Sequence, residues 1–128
     1  MDEMLTLEDL ANKYKLDLIL MFGSRVRGNV RPESDMDIAV YGRKILSETE
    51  KIQLTHELCN IFRTDDIDLV DLRTASPLLK NEVFKNYKVL LQRDPMLLYS
   101  LELAIIHEMK ELEILYQIRR ERLGEFVR

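Results

Sequence analysis

Two aspartates separated by a single residue, Asp35 and Asp37, lead into the apolar run Ile38-Ala39-Val40. In an extended strand, residues i and i+2 project from the same face, so this spacing predicts two converging carboxylates. Side by side, they repel and raise each other's pKa unless a cation shares them. A pair of hard divalent ions, Mg²⁺ or Mn²⁺, meets that need, and such ions favour carboxylate together with phosphate oxygens. Upstream, Gly23-Ser24 follows Leu18-Ile19-Leu20-Met21-Phe22, a run too short for a helix and suited to a buried strand. Gly23 permits a sharp turn and Ser24 is a good helix N-cap. A helix opening there would aim free N–H groups and its positive dipole end at an anion, with phosphate the usual guest. Arg25 and Arg27 add positive charge to the same turn. A phosphate cradle joined by a short linker to metal-binding carboxylates spells nucleotide chemistry.

Each feature alone has a plainer meaning. Gly-Ser is a common loop, Asp-x-Asp occurs by chance at solvated strand ends, and the arginines suit a solvated helix face. Their combination, with strands on both sides, is what carries the signal.

The elements that must position these groups can be read in order. Thr6-Leu7-Glu8-Asp9 opens like a capping box, and Leu7, Leu10, Ala11 and Tyr14 share one helical face. A strand then covers about Asp17 to Phe22. Pro32 keeps the linker from being helical, which leaves Asn29 to Ser34 as loop. The second strand runs from Met36 to Tyr41. Ser47-x-x-Glu50 caps a helix reaching about Phe62, with Ile52, Leu54, Leu58, Ile61 and Phe62 expected on the sheet. A third strand, Ile67 to Leu72, carries Asp68 and Val70 on one face, Ile67 and Leu69 on the other. Ser76-Pro77 begins a helix ending near Asn86, and Val89-Leu90-Leu91 forms a further strand. Asp94-Pro95 opens a long helix to about Leu123, whose apolar stripe outruns the surface a small domain offers.

Composition bounds the rest. A chain of 128 residues suits one α/β domain, and 46% apolar residues fit a soluble globular protein. The net charge of −4 argues against a broad nucleic-acid surface. A single cysteine, Cys59, excludes an internal disulfide and fits a reducing compartment. Met1-Asp2-Glu3 is acidic where a secretion signal would be basic, and no run approaches a membrane span; a cytoplasmic protein is expected. His56 near Cys59 reads as an ordinary rim histidine and His107 carries no ligand pattern.

The letters Gly23-Ser24, Gly-Ser-Arg-x-Arg-Gly and Ser34-Asp35-x-Asp37 resemble the signature of the polymerase-β-type nucleotidyltransferases, and most closely their minimal branch (MNT). The resemblance runs from about Leu16 to Leu91. It implies a mixed sheet flanked by helices, with those helices on one face, a nucleotidyltransferase core over residues 1–93 and a C-terminal helix over 94–128. It also implies a third metal carboxylate on a later strand, where Asp68 stands; Asp66 shares its face at the strand mouth, and Asp71 faces the opposite way. On this reading Asp35, Asp37 and Asp68 hold two Mg²⁺ (Mn²⁺ in their place) and do the chemistry, while Gly23, Ser24, Arg25, Arg27 and Ser34 bind ATP. Members of the branch act as antitoxins paired with HEPN-fold ribonuclease toxins. The resemblance therefore implies AMP transfer to a tyrosine of such a toxin, without direct nucleic-acid binding. The C-terminal helix would mediate homodimer or hetero-oligomer assembly. Two alternatives stay open: a small-molecule acceptor such as an antibiotic hydroxyl, and a non-catalytic module that blocks the toxin by binding.

Overall fold

The computed structural model describes residues 5–23, 26 and 35–127. Helix α1 (Leu7–Tyr14) starts at a reciprocal capping box. The Thr6 hydroxyl accepts the Asp9 N–H at 3.1 Å and the Asp9 carboxylate accepts the Thr6 N–H at 2.9 Å. Lys15 closes the helix in the left-handed conformation and turns the chain into β1 (Leu16–Phe22). After β2 (Met36–Gly42), a second complete capping box, Ser47 with Glu50, launches α2 (Glu48–Phe62). Then follow β3 (Ile67–Asp71), α3 (Pro77–Lys85) capped by Ser76, β4 (Tyr87–Gln92) and α4 (Pro95–Val127).

The four strands form one mixed sheet in the order β3-β2-β1-β4. β1 lies between β2 and β4 and is antiparallel to both. β2 and β3 are parallel, because α2 carries the chain back between them. A mixed-sheet α/β architecture with a long final helix is thus as the sequence led us to expect.

The placement of the helices corrects one expectation. They cover both faces of the sheet, not one. Leu10, Ala11 and Tyr14 of α1 and Leu54 and Leu58 of α2 pack on Ile19, Ile38 and Val40. Val83 and Phe84 of α3, with Leu97, Leu98 and Leu101 of α4, pack on Leu18, Leu20, Phe22 and Ala39. A strand buried on both sides reads as a continuous apolar run, and Leu18 to Phe22 is one. Ile52 is a second correction: it is 70% exposed on the flank of α2 beside the β3 edge, outside the packed core.

Asp71 belongs to this framework. It is only 4% exposed, accepting the Leu46 N–H ahead of α2 and the Arg73 N–H, each at 3.0 Å. Those bonds satisfy two amides where the chain leaves strand structure, so Asp71 holds the fold together on the face opposite Asp68.

In α4, Ile105 is the deepest residue at 4% exposure, and Lys80 of α3 pairs with Glu108 at 3.4 Å. The helix then continues away from the core with Ile114, Leu115, Tyr116, Ile118 and Leu123 exposed. At 1.5 Å per residue the whole element is about 50 Å long. No helix among the described residues is long and apolar enough to cross a membrane.

Candidate active site

Three strand ends meet at one edge of the sheet: the end of β1 at Phe22, the start of β2 at Met36 and the start of β3 at Ile67. Their register sets Phe22 opposite Asp37 and Asp37 opposite Asp68. Asp68, Asp37 and Phe22 therefore form a row across neighbouring strands. By alternation Asp37 shares its face with Ala39, and Asp68 shares its face with Val70. Both apolar partners belong to the core under α3 and α4, so the two carboxylates rise from that same face. Asp35 is exposed, one residue before β2.

Gly23 follows directly on β1 with φ of +85°, the left-handed region that glycine occupies without strain. Its carbonyl accepts the Val26 N–H at 3.2 Å, closing a tight turn. A β-carbon at Gly23 would lie 3.3 Å from the Asp37 carboxyl carbon and would overlap its Oδ2. The turn thus rests on the carboxylate with no room for a side chain. Gly23→Ala is expected to displace Asp37 and to cut transfer at least about tenfold, roughly 1.4 kcal/mol of barrier. Steady-state kinetics beside a melting curve would check this, and near-normal turnover in a folded variant would show that the close approach is dispensable.

Charge is concentrated here. Burial pushes the Asp37 carboxyl above the ordinary carboxylate range, and the charges of Asp68 and then Asp35 push it further. Asp66, whose carbonyl accepts the Met36 N–H at 2.9 Å, brings a fourth carboxyl group. A hydrogen bond shared with Asp35, and then that residue's charge, raise its pKa as well. Sequence reasoning placed Asp66 at the strand mouth without seeing its contact with Asp35; the Asp65-Asp66 pair before β3 was the available signal.

These shifts have a consequence for stability. A carboxyl whose folded pKa is raised stabilises the fold fully below its unfolded value near pH 4, and that contribution is lost as pH climbs through the folded pKa. Asp37→Asn escapes the loss. In chelator at neutral pH it should melt higher than the parent by about 1–3 °C, the gap closing below about pH 4. A variant that melts lower at neutral pH would contradict the repulsion inferred from the geometry.

Among the described residues, no three Asp, Glu, His or Cys side chains are drawn together as a finished metal cage. The strand register fixes the placement instead: all-oxygen, all-acidic donors on one edge, close enough for Asp37 to feel both neighbours. That donor chemistry fits hard divalent cations. Of the nucleotide-binding candidates, Gly23 lies against Asp37, while Ser24, Arg25, Arg27 and Ser34 lie outside the described residues.

The fold matches a known class. The family described as Polymerase beta, Nucleotidyltransferase matches residues 6–96, and the chain belongs to it. Among curated proteins it is similar to the protein adenylyltransferase MntA of Shewanella oneidensis, with 40% identity over 76 residues. That match covers 59% of this chain and 54% of MntA, so the chain spans about half the length of this relative. Among solved structures it resembles a toxin–antitoxin crystal structure with AMP-PNP, at TM-score 0.70 and 28% identity over 95% of this chain and 96% of that one. It also resembles a complex of a tri-AMPylated Shewanella oneidensis HEPN toxin with its MNT antitoxin. There the TM-score is 0.71 and the identity 27%, over 91% of this chain and 92% of that one.

Proposed function

We propose that this protein is an adenylyltransferase antitoxin, acting in the cytoplasm, that moves AMP from ATP to a tyrosine of a cognate HEPN-fold ribonuclease toxin and so silences it. The observation that carries the reading is the register Asp37 opposite Asp68, with the left-handed Gly23 turn seated against the Asp37 carboxylate. The similarity to a protein adenylyltransferase and to toxin–antitoxin complexes, one with an ATP analogue and one with an AMPylated toxin, supports the acceptor class.

Two Mg²⁺ or Mn²⁺ ions, held by Asp35, Asp37 and Asp68, would neutralise the triphosphate and lower the pKa of the acceptor hydroxyl. The chain's own groups do the remainder. The Gly23–Ser24 turn receives the β- and γ-phosphates, Arg25 and Arg27 clamp their charge, and Ser34 contacts the nucleotide. The acceptor oxygen forms a bond to the α-phosphorus while the bond from that phosphorus to the bridging oxygen breaks, and pyrophosphate leaves with the electron pair. Asp68 takes the hydroxyl proton. In-line positioning and charge neutralisation supply most of the rate.

The test is incubation with labelled ATP, Mg²⁺ and the HEPN-fold protein encoded beside this one. Label on a partner tyrosine, with loss of its ribonuclease activity, is the expected result; label confined to small molecules would sink the protein-acceptor reading.

The outer half of α4 serves assembly, with the toxin or with a second copy. Met109, Leu112 and Tyr116 line a shallow groove with Asn81 and Ile106 beside α3. Met109→Lys with Leu112→Lys should weaken assembly at least about tenfold while ATP binding persists. Light scattering with and without the partner checks it, and unchanged masses would leave α4 without a partner role.

A further inference from the structure

Among the described residues the sheet has no strand beyond β3, and that edge borders the candidate site. β3 pairs with β2 alone. The Met36 N–H donates to the Asp66 carbonyl and the Leu72 N–H to the Val40 carbonyl, both at 2.9 Å. In a parallel ladder the backbone groups of successive residues alternate between the two sides of a strand. Asp66, Asp68, Val70 and Leu72 therefore turn theirs toward β2, and Ile67 and Leu69 turn theirs outward. Neither has a backbone partner beyond β3 among the described residues.

Outside these two residues lies a groove of about 470 Å³, floored by Ile67, Asp68 and Leu69 and walled by the flank of α2 with Ile52, Thr55 and His56. His56 and Cys59 also line a second groove, running past Arg63 to Asp65 at the mouth of β3. The exposed Ile52 gives the first groove an apolar wall where the sheet itself leaves none.

We infer that an extended peptide segment of the acceptor protein docks as a fifth strand on the outer edge of β3, bonding to the outward backbone of Ile67 and Leu69 and so bringing its tyrosine to Asp68. The inference rests on the function proposed above and names how its substrate is held. Direction of attack is what selects this edge. In-line displacement needs the nucleophile and the departing pyrophosphate on opposite sides of the α-phosphorus. Gly23 lies on the β1 side of Asp37, so the nucleophile enters from the β3 side, where Asp68 stands. β4 ends the sheet on the far side, but it lies on the pyrophosphate side, three strands from Asp68.

The register also suits a tyrosine. A residue paired opposite Asp68 projects its side chain from the same sheet face, with Cβ atoms about 5 Å apart. A phenol is longer than the spacing of about 4.8 Å between strands, so a tyrosine that leans over the sheet from that place can set its hydroxyl between Asp68 and Asp37. Main-chain bonds to an edge give affinity with little demand on sequence, while the Ile52 wall selects an apolar neighbour.

Hydrogen exchange on the full-length protein with its HEPN-fold partner and a non-hydrolysable ATP analogue tests the docking directly. The amides of Ile67 and Leu69 should become protected when the partner is added. Leu69→Pro deletes one outward N–H without touching the ladder to β2, and Ile52→Glu spoils the wall. Each should raise the KM for the partner about tenfold or more with little change in kcat, ATP affinity serving as the check on folding. If the parent protein labels its partner while the β3 amides exchange unchanged, the docking proposal alone is overturned. Protection that appears without partner and grows with protein concentration overturns it in favour of a second copy on the same edge. If the parent transfers no AMP to any protein, the proposed function fails first.

Discussion

Asp35→Ala combined with Asp37→Ala should abolish AMP transfer, by at least about 10³-fold, or roughly 4 kcal/mol of barrier. Asp37 occupies the middle of the carboxylate row, paired with Asp68 on one side and pressed by Gly23 on the other. Removing both acids takes away two of the three groups that would hold cations against the triphosphate. No other described acid can replace Asp37, because the β2 register gives that place to one residue and Asp66 sits against Asp35 instead. The fold should survive, since neither side chain supports the core and the repulsion around Asp37 is relieved. Transfer of labelled AMP to the partner, with melting curves for both proteins, makes the measurement. Residual label above about 1% of the parent rate would mean that the chemistry lies elsewhere.

Asp68→Asn should separate chemistry from binding. Asp35 and Asp37 remain to hold the triphosphate, so ATP affinity should change little. The acceptor hydroxyl loses its base, and transfer should fall about 10²-fold or more, near 3 kcal/mol. Two neighbours on the same segment sharpen the result. Asp66→Asn keeps the carbonyl that receives the Met36 N–H and relieves the crowding with Asp35, so its cost should be small. Asp71→Asn acts through folding: one acceptor oxygen in a buried pair of bonds is lost, at about 1–3 kcal/mol of stability. Rates and melting temperatures for all three variants assign the roles. Near-normal transfer in Asp68→Asn alongside a large loss in Asp66→Asn would move the base to the strand mouth.

Much of this site was legible because its information is local. The spacing Asp35-x-Asp37 sets both acids at the mouth of β2, although Asp35 stands one residue before the strand, and Gly23 announces a turn whose φ the structure bears out. The Thr6 and Ser47 capping boxes set two helix starts by contacts within four residues. Asp68 was separable from Asp71 by face, and the burial of Asp71 agrees. The contact of Asp66 with Asp35 was not legible: it depends on the β2–β3 register, which the packing of α2 sets across a long crossover. Ile52 misled because it carries the right residue type one step off the helical stripe. The second layer of helices was missed for a different reason. The one-face expectation came from the family resemblance, while the all-apolar run Leu18-Ile19-Leu20-Met21 already carried the sign of cover on both faces.

The root of α4 is held more tightly than its outer half. Tyr87, opposite Phe22 at the active-site end of β4, donates its hydroxyl to Glu102, and that bond pushes its pKa up to about 12. With Lys80 on Glu108 and Ile105 buried, these contacts clamp the helix within its first half. From Ile105 to the end of α4 is about 33 Å of straight arm. A tilt of about 5° at the clamp would swing the tip by about 3 Å, the difference between a bonded and a separated pair of atoms. A partner held by the outer half of α4, as proposed above, would therefore take its position relative to the sheet from the Tyr87–Glu102 fastening, and loosening that bond would shift the partner without touching either its grip or the carboxylates.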